Sequence, residues 1–189
     1  VPEADRDPDT TVPTLGGAYA SELRGIVDRE FCFGERYRDQ QGRADRTGAR
    51  PELVEFERKL VKRAFKLGIP LFAHAFVRTG DDQNRLYVKG VTKARAGESP
   101  HNFGAAVDLI HGTKAWDLTR KQWAIIGHLG KEVAAAVRVN LPPSDDPGAP
   151  RTGPLRITWG GDWEFYDPAH WELTDWRDIR ARYSAGGLY

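Results

Sequence analysis

Apolar residues recur at helical spacing in two long stretches of the chain and alternate at strand spacing in four short ones. Residues 51–68, PELVEFERKLVKRAFKLG, place Leu53, Phe56, Leu60 and Ala64 on one face of an amphipathic helix, with Pro51 in its first turn and Gly68 at its end. Residues 119–139 predict a second long helix. Thr119 and Gln122 form a T-x-x-Q capping box there, and Trp123, Ile126, Gly130, Val133 and Val137 trace a buried stripe. Leu23, Ile26 and Val27 suggest a short helix over 21–31, and residues 173–183 a closing helix with Thr174 as its N-cap. Strands are predicted in PLFAHAFVRTG (70–80), AAVDLI (105–110), LRITWGG (155–161) and HWEL (170–173). On the first of these, a period of two sets His74, Phe76 and Arg78 on one face.

The polar segments divide these elements. Residues 1–16 are acidic and Pro-rich and read as a flexible N-terminal arm, followed by one catalytic domain over 17–189. Residues 34–50 and 92–104 read as loops, residues 82–90 as a short helix or turn, and residues 140–154 as a Pro- and Gly-rich linker. Strands and helices do not alternate as in βαβ units. The fold class expected is therefore α+β, with a small, mainly antiparallel sheet packed with helices.

Composition narrows the function. With 189 residues, 40% hydrophobic and 29% charged, the chain has the profile of a globular domain rather than a disordered one. A formal net charge of +1 lacks the basic footprint of a nucleic-acid binder, so no nucleic-acid partner is expected. No apolar run approaches the roughly 20 residues that span a bilayer, so no membrane insertion is expected. The first residues carry neither the positive region nor the apolar run of a signal peptide. Cys32 is the single cysteine, which precludes an intrachain disulfide, and between Phe31 and Phe33 it reads as a small buried hydrophobe. The chain is expected to act as a monomer.

The chemistry-bearing residues lie in three segments: VRTGDDQNRLY, ESPHNFGAAVD and WGGDWEFYDPAHWEL. His101 and Asp108 flank a loop-to-strand transition at Gly104, and His170 follows far downstream. Two imidazoles and a carboxylate, with one position left open, are the donor set of a catalytic zinc. In a chain with five histidines and 27 acidic residues, spacing alone does not single them out.

The wider pattern does. S-x-H-x-x-G-x-A-x-D, here Ser99, His101, Gly104, Ala106 and Asp108, resembles the zinc motif of the M15 D-Ala-D-Ala carboxypeptidase family. W-G-G-D-W at 159–163, followed by Asp167 and His170 as D-x-x-H, is similar to the branch of phage endolysins that act as L-alanyl-D-glutamate peptidases. The resemblance covers residues 71–173. It implies a single-zinc M15 peptidase-like fold holding one Zn2+ through His101, Asp108 and His170, with Asp167 as the catalytic base. The family commonly has Arg followed by Gln upstream, which Arg78 and Gln83 match; Arg78 would stabilise the oxyanion or hold a substrate carboxylate.

Other residues have structural readings beside functional ones. Ser99 caps or orients the His101 loop. Asp162 bonds the loop backbone or buttresses a ligand histidine. Glu172, sharing a strand face with His170, supports it or acts as a rival base. The six tryptophans read mostly as core, although Trp159, Trp163 and Trp171 cluster around the motif as candidate cleft walls, with Trp163 a candidate substrate-binding or supporting residue. His74 reads as a core or supporting histidine, and His111 and His128 as non-ligands. The implied substrate is peptidoglycan, cut at L-Ala–D-Glu by a phage or prophage endolysin. It would reside in the host bacterial cytoplasm and act in the periplasm or wall after holin-dependent release. The alternatives are a D-Ala-D-Ala carboxypeptidase or dipeptidase of the same family, in which Glu usually holds the base position, and a noncatalytic zinc-containing wall-binding module.

Overall fold

The computed structural model describes residues 17–141, 146 and 148–185, so the arm expected over 1–16 lies outside the described residues. The chain runs through α1 (Gly17–Ile26), α2 (Arg29–Phe33), α3 (Glu35–Gln41), α4 (Pro51–Leu67), β1 (Leu71–Ala75), α5 (Gly80–Val88) and β2 (Ala106–His111). It continues through α6 (Arg120–Ala136), β3 (Arg138–Asn140), β4 (Thr152–Pro154), β5 (Ile157–Trp159), β6 (His170–Leu173) and α7 (Trp176–Ala185). Strands β1, β2, β6 and β5 form one antiparallel sheet in that order, and β3 pairs with β4 in a separate ribbon. The architecture is α+β, a small antiparallel sheet packed against helices.

The two long helices form because each has a continuous apolar face to bury. Leu53, Phe56, Leu60 and Ala64 of α4 are fully buried against α6, β1 and β2. Helix α6 carries the complete capping box of Thr119 and Gln122 and buries Trp123, Ile126, Gly130 and Val133. Its two glycines face tryptophan rings. A Cβ on Gly127 would lie 2.4 Å from the Trp159 ring, and one on Gly130 would lie 2.1 Å from the Trp171 ring. Those rings stack on each other, with centroids 5.7 Å apart, beneath the helix. Trp159 and Trp171 are thus core residues.

Several boundaries differ from the pattern. The helix expected over 21–31 is two helices, because the Asp28 side chain caps a new start by accepting from the Phe31 N–H. Within the segment read as loop, α3 forms around a single buried anchor: Tyr37 donates its hydroxyl to the Leu71 carbonyl at 2.9 Å. Strand β1 ends at Ala75 with an irregular register between Ala73 and Ala75, so His74, Phe76 and Arg78 share no strand face. Phe76 belongs to the core, while His74 and Arg78 are partly exposed. Residues 138–140 and 152–154, partly assigned to helix and linker by pattern, pair as a ribbon. The closing helix starts at Trp176 rather than after Thr174, whose hydroxyl instead meets that of Thr158. Cys32 is buried as expected; burial and the Asp28 charge push its thiol up to about 11.

Candidate metal centre

His101 stands on a tight turn, Pro100–Phe103, that Gly104 closes in the left-handed conformation at φ 63°. A Cβ at Gly104 would lie 2.1 Å from the Gly48 carbonyl oxygen, so both the conformation and the close approach require glycine. The His101 Nδ1 lies 2.6 Å from the Phe76 carbonyl, which can only accept. Nδ1 therefore donates to it, and Nε2 is the nitrogen turned toward Asp108.

Asp108 lies on β2 directly opposite His170 on β6, so their side chains leave the same face of the sheet. One Asp108 oxygen, Oδ1, is 3.3 Å from His101 Nε2 and 3.0 Å from His170 Nδ1. The far nitrogen of His170, Nε2, faces Glu172 Oε2 at 3.0 Å, and the other Glu172 oxygen accepts from the Trp176 indole at 3.0 Å. Each histidine is thus oriented by a partner at one nitrogen while the other turns toward Asp108, the arrangement that supports metal-binding imidazoles. Glu172 shares the strand with His170 and meets it on the nitrogen turned away from Asp108.

One ligand atom from each of His101, Asp108 and His170 lies within 4.8 Å of the others, so the group could hold a metal ion. Donors about 2.0–2.1 Å from a tetrahedral zinc stand about 3.3 Å apart, close to the separations from Asp108 Oδ1. The electrostatics agree. Burial favours neutral Asp108, yet the two imidazoles hold its carboxyl well below the usual range. Burial likewise opposes charge on His170, but its hydrogen bonds to Asp108 and Glu172 raise it to about 9. Asp108 and Glu172 thus surround His170 with negative charge.

The other polar groups gather around this cluster in a cleft of ≈ 550 Å³. Arg78 reaches Asp108 Oδ2 at 3.5 Å and donates to Gln83 Oε1 at 3.0 Å. Gln83 is fully buried and donates to the Ala94 carbonyl at 2.8 Å, so it joins Arg78 to the 92–94 wall of the cleft. Asp167 lines the cleft on the loop before β6. Its backbone N–H donates to the Gly160 carbonyl at 3.0 Å, and a Cβ on Gly160 would lie 2.3 Å from the Asp167 carbonyl oxygen. The Trp159 indole donates to the Pro168 carbonyl at 2.8 Å. The W-G-G segment thereby folds the Asp167 loop against the sheet. Burial and the Asp108 charge raise the Asp167 carboxyl above its ordinary value, and His170, His101 and Arg78 partly offset this.

Trp163 packs beside His170, with ring centroids 5.3 Å apart, and lines the cleft. Ser99 lines it too, but its hydroxyl makes no capping bond to the His101 turn, whose Asn102 N–H is met by the Ser99 backbone carbonyl. Asp162 neither bonds its loop backbone nor supports a ligand: its exposed carboxylate pairs with Lys131 at 2.7 Å. His111 is tied to backbone far from the cluster, and exposed His128 meets Glu132. Among the cleft residues that the motifs did not single out are Trp116, Phe165 and Lys93, the last lying 5.4 Å from the Phe165 ring centre. Trp116 and Lys93 sit outside any motif, Phe165 falls at an unspecified position between W-G-G-D-W and D-x-x-H, and exposed aromatics carry no periodic signal.

No protein-family model matches the chain. Among solved structures, its fold is similar to that of the Serratia marcescens L-Ala D-Glu endopeptidase ChiX, with a TM-score of 0.52 and 21% identity over 78% of this chain and 92% of that one.

Proposed function

We propose that the chain is a zinc-dependent peptidase that hydrolyses the L-Ala–D-Glu bond in the stem peptides of bacterial peptidoglycan. The observation that carries this reading is the convergence of His101, Asp108 and His170 donor atoms in one cleft with Asp167 and Arg78. The likeness of fold to an L-Ala D-Glu endopeptidase supports the choice of substrate and bond. The M15-like motifs that led to these residues support it independently.

When bound, zinc supplies Lewis acidity that polarises a carbonyl and favours ionised water near neutral pH. Asp167 takes the proton of the attacking water at its carboxylate and returns it to the leaving amine. Its raised proton affinity suits the second half of that task. Arg78 presents a guanidinium on the same side as Asp108, held by Gln83, and pairs with the developing oxyanion or with a stem-peptide carboxylate. Glu172 keeps His170 oriented rather than acting as base, since both its oxygens are engaged. In the cell, the reading is of a phage or prophage lysis enzyme acting on the wall after release from the host cytoplasm.

Mass spectrometry of products from Gram-negative sacculi incubated with the zinc-loaded chain tests the proposal. Fragments ending in disaccharide–L-Ala, with new D-Glu amino termini, are expected. Release of free D-Ala would reassign the chain to carboxypeptidase chemistry. An intact sacculus with zinc confirmed bound would leave a binding module.

A further inference from the structure

Trp116 is 52% exposed, yet the backbone that leads into it is held by a network of hydrogen bonds. It follows β2 on a loop pinned by a two-way backbone bridge, His111 N–H to the Ala115 carbonyl at 3.2 Å and Ala115 N–H to the His111 carbonyl at 2.8 Å. His111 is itself buried and locked. Its Nε2 donates to the Ile26 carbonyl at 2.9 Å, and its Nδ1 accepts from the Thr113 and Lys114 N–H groups at 3.3 and 3.2 Å. Gly112 fits where a Cβ would lie 2.6 Å from the Phe31 ring. Immediately before Trp116, Ala115 adopts the left-handed conformation at φ 51°, unfavourable for a residue with a side chain. Such strain persists where the surroundings over-determine the backbone, and it concentrates at functional sites. Here it aims an indole that remains half in solvent and so gains little from folding.

That indole borders the metal-binding cleft, together with Phe165, which is 68% exposed. Its ring sits 4.8 Å from the His74 ring at 77°. Whichever ring presents its edge, at least one indole face stays clear of the imidazole. His74 precedes Ala75, which pairs with Asp108 across the ladder, so the ring stands close to a metal-ligand residue. A rigid, exposed aromatic face beside a cleft suits a flat partner with an apolar side.

We infer that Trp116 is the platform for a pyranose ring of the glycan, and that the cleft binds the stem peptide together with the muramyl sugar that bears it. This rests on the proposed L-Ala–D-Glu reading. In that substrate the sugar's lactyl group is joined directly to L-Ala, so the ring begins about two residue lengths, roughly 7 Å, from the bond cut. The stem residues near that bond are small or charged and offer nothing flat to stack. The C–H face of the sugar does.

The test uses two probes with no L-Ala–D-Glu bond, N-acetylmuramyl-L-alanine and N-acetyl-L-alanine, titrated calorimetrically into the zinc-loaded full chain. The sugar-bearing probe is expected to bind at least tenfold tighter. Trp116→Ala should abolish that advantage, while Trp116→Phe, which keeps an aromatic face, should retain part of it. Equal binding of the two probes by the unmodified chain, or an advantage that survives Trp116→Ala, overturns the inference. Because neither probe can be cut, this result is independent of the peptidase reading. Sacculi cleaved at L-Ala–D-Glu without a sugar-dependent gain in binding would uphold that reading and remove the platform.

Discussion

Asp167 and the ligand histidines differ in what a substitution should remove. Asp167 has no side-chain hydrogen-bond partner among the described residues, and its backbone bonds to Gly160 and His170 survive truncation of the side chain, so Asp167→Ala is expected to keep bound zinc. Turnover should nevertheless fall by about 10²–10⁴, the usual contribution of a general base. Metal analysis beside initial rates checks both halves, and retained turnover would move the base elsewhere. Arg78→Ala should lose at least tenfold in kcat/KM, about 1.4 kcal/mol of transition-state stabilisation. His111 offers a pH test away from the cleft. Burial lowers its pKa below the ordinary 6.5. The unfolded chain therefore takes up a proton that the folded chain refuses, and the stability tied to neutral His111 is full above about 6.5 and lost as pH falls through the depressed folded value. Urea denaturation of the wild type and His111→Ala at pH 8, 6 and 5 should show the difference between them shrinking with acidity; a constant difference would remove His111 as the cause.

The elements differ in how openly the sequence displays them. Helices α4 and α6 were legible because each buries an unbroken stripe, and their caps matched it. Helix α3 was not, since it buries one residue among seven and leaves a polar face that reads as loop. The four strands of the main sheet were placed well while the β3–β4 ribbon was missed, and β1 ended early because an irregular register cancels the alternation that pattern reading assumes. The residues that converge in the candidate metal centre were legible through a motif with a glycine at its bend. Asp162 was misread because a motif records which residues recur together and cannot say which way a side chain turns. Contacts between elements give further tests. Gly127→Ala and Gly130→Ala drive a methyl into the Trp159 and Trp171 rings, and each should cost about 1–3 kcal/mol in chemical denaturation. Gly104→Ala strains the His101 turn and meets the Gly48 carbonyl, so it should lower zinc content as well as stability.

Across the whole molecule, the candidate ligands join a turn before β2, the centre of β2 and the start of β6. An ion there ties together segments about 60 to 70 positions apart in sequence. An ion bound only by the folded chain stabilises it by about 2.7 kcal/mol at a free concentration 100 times its dissociation constant. Zinc addition should therefore raise Tm by on the order of 5–10 °C, and chelation should reverse the gain. Unchanged melting with and without zinc would rule out a site at this junction. The pairing of β2 with β6 has another consequence, for the order in which the molecule is made. Asp108 and His101 leave the ribosome early, while His170 arrives only after α6 and the β3–β4 ribbon, on the last strand of the sheet. A nascent chain halted between Asp108 and Asp167 carries two of the three candidate ligands and lacks Asp167. On the proposed peptidase reading, hydrolytic competence waits for the final strand, and a prematurely terminated product would lack it.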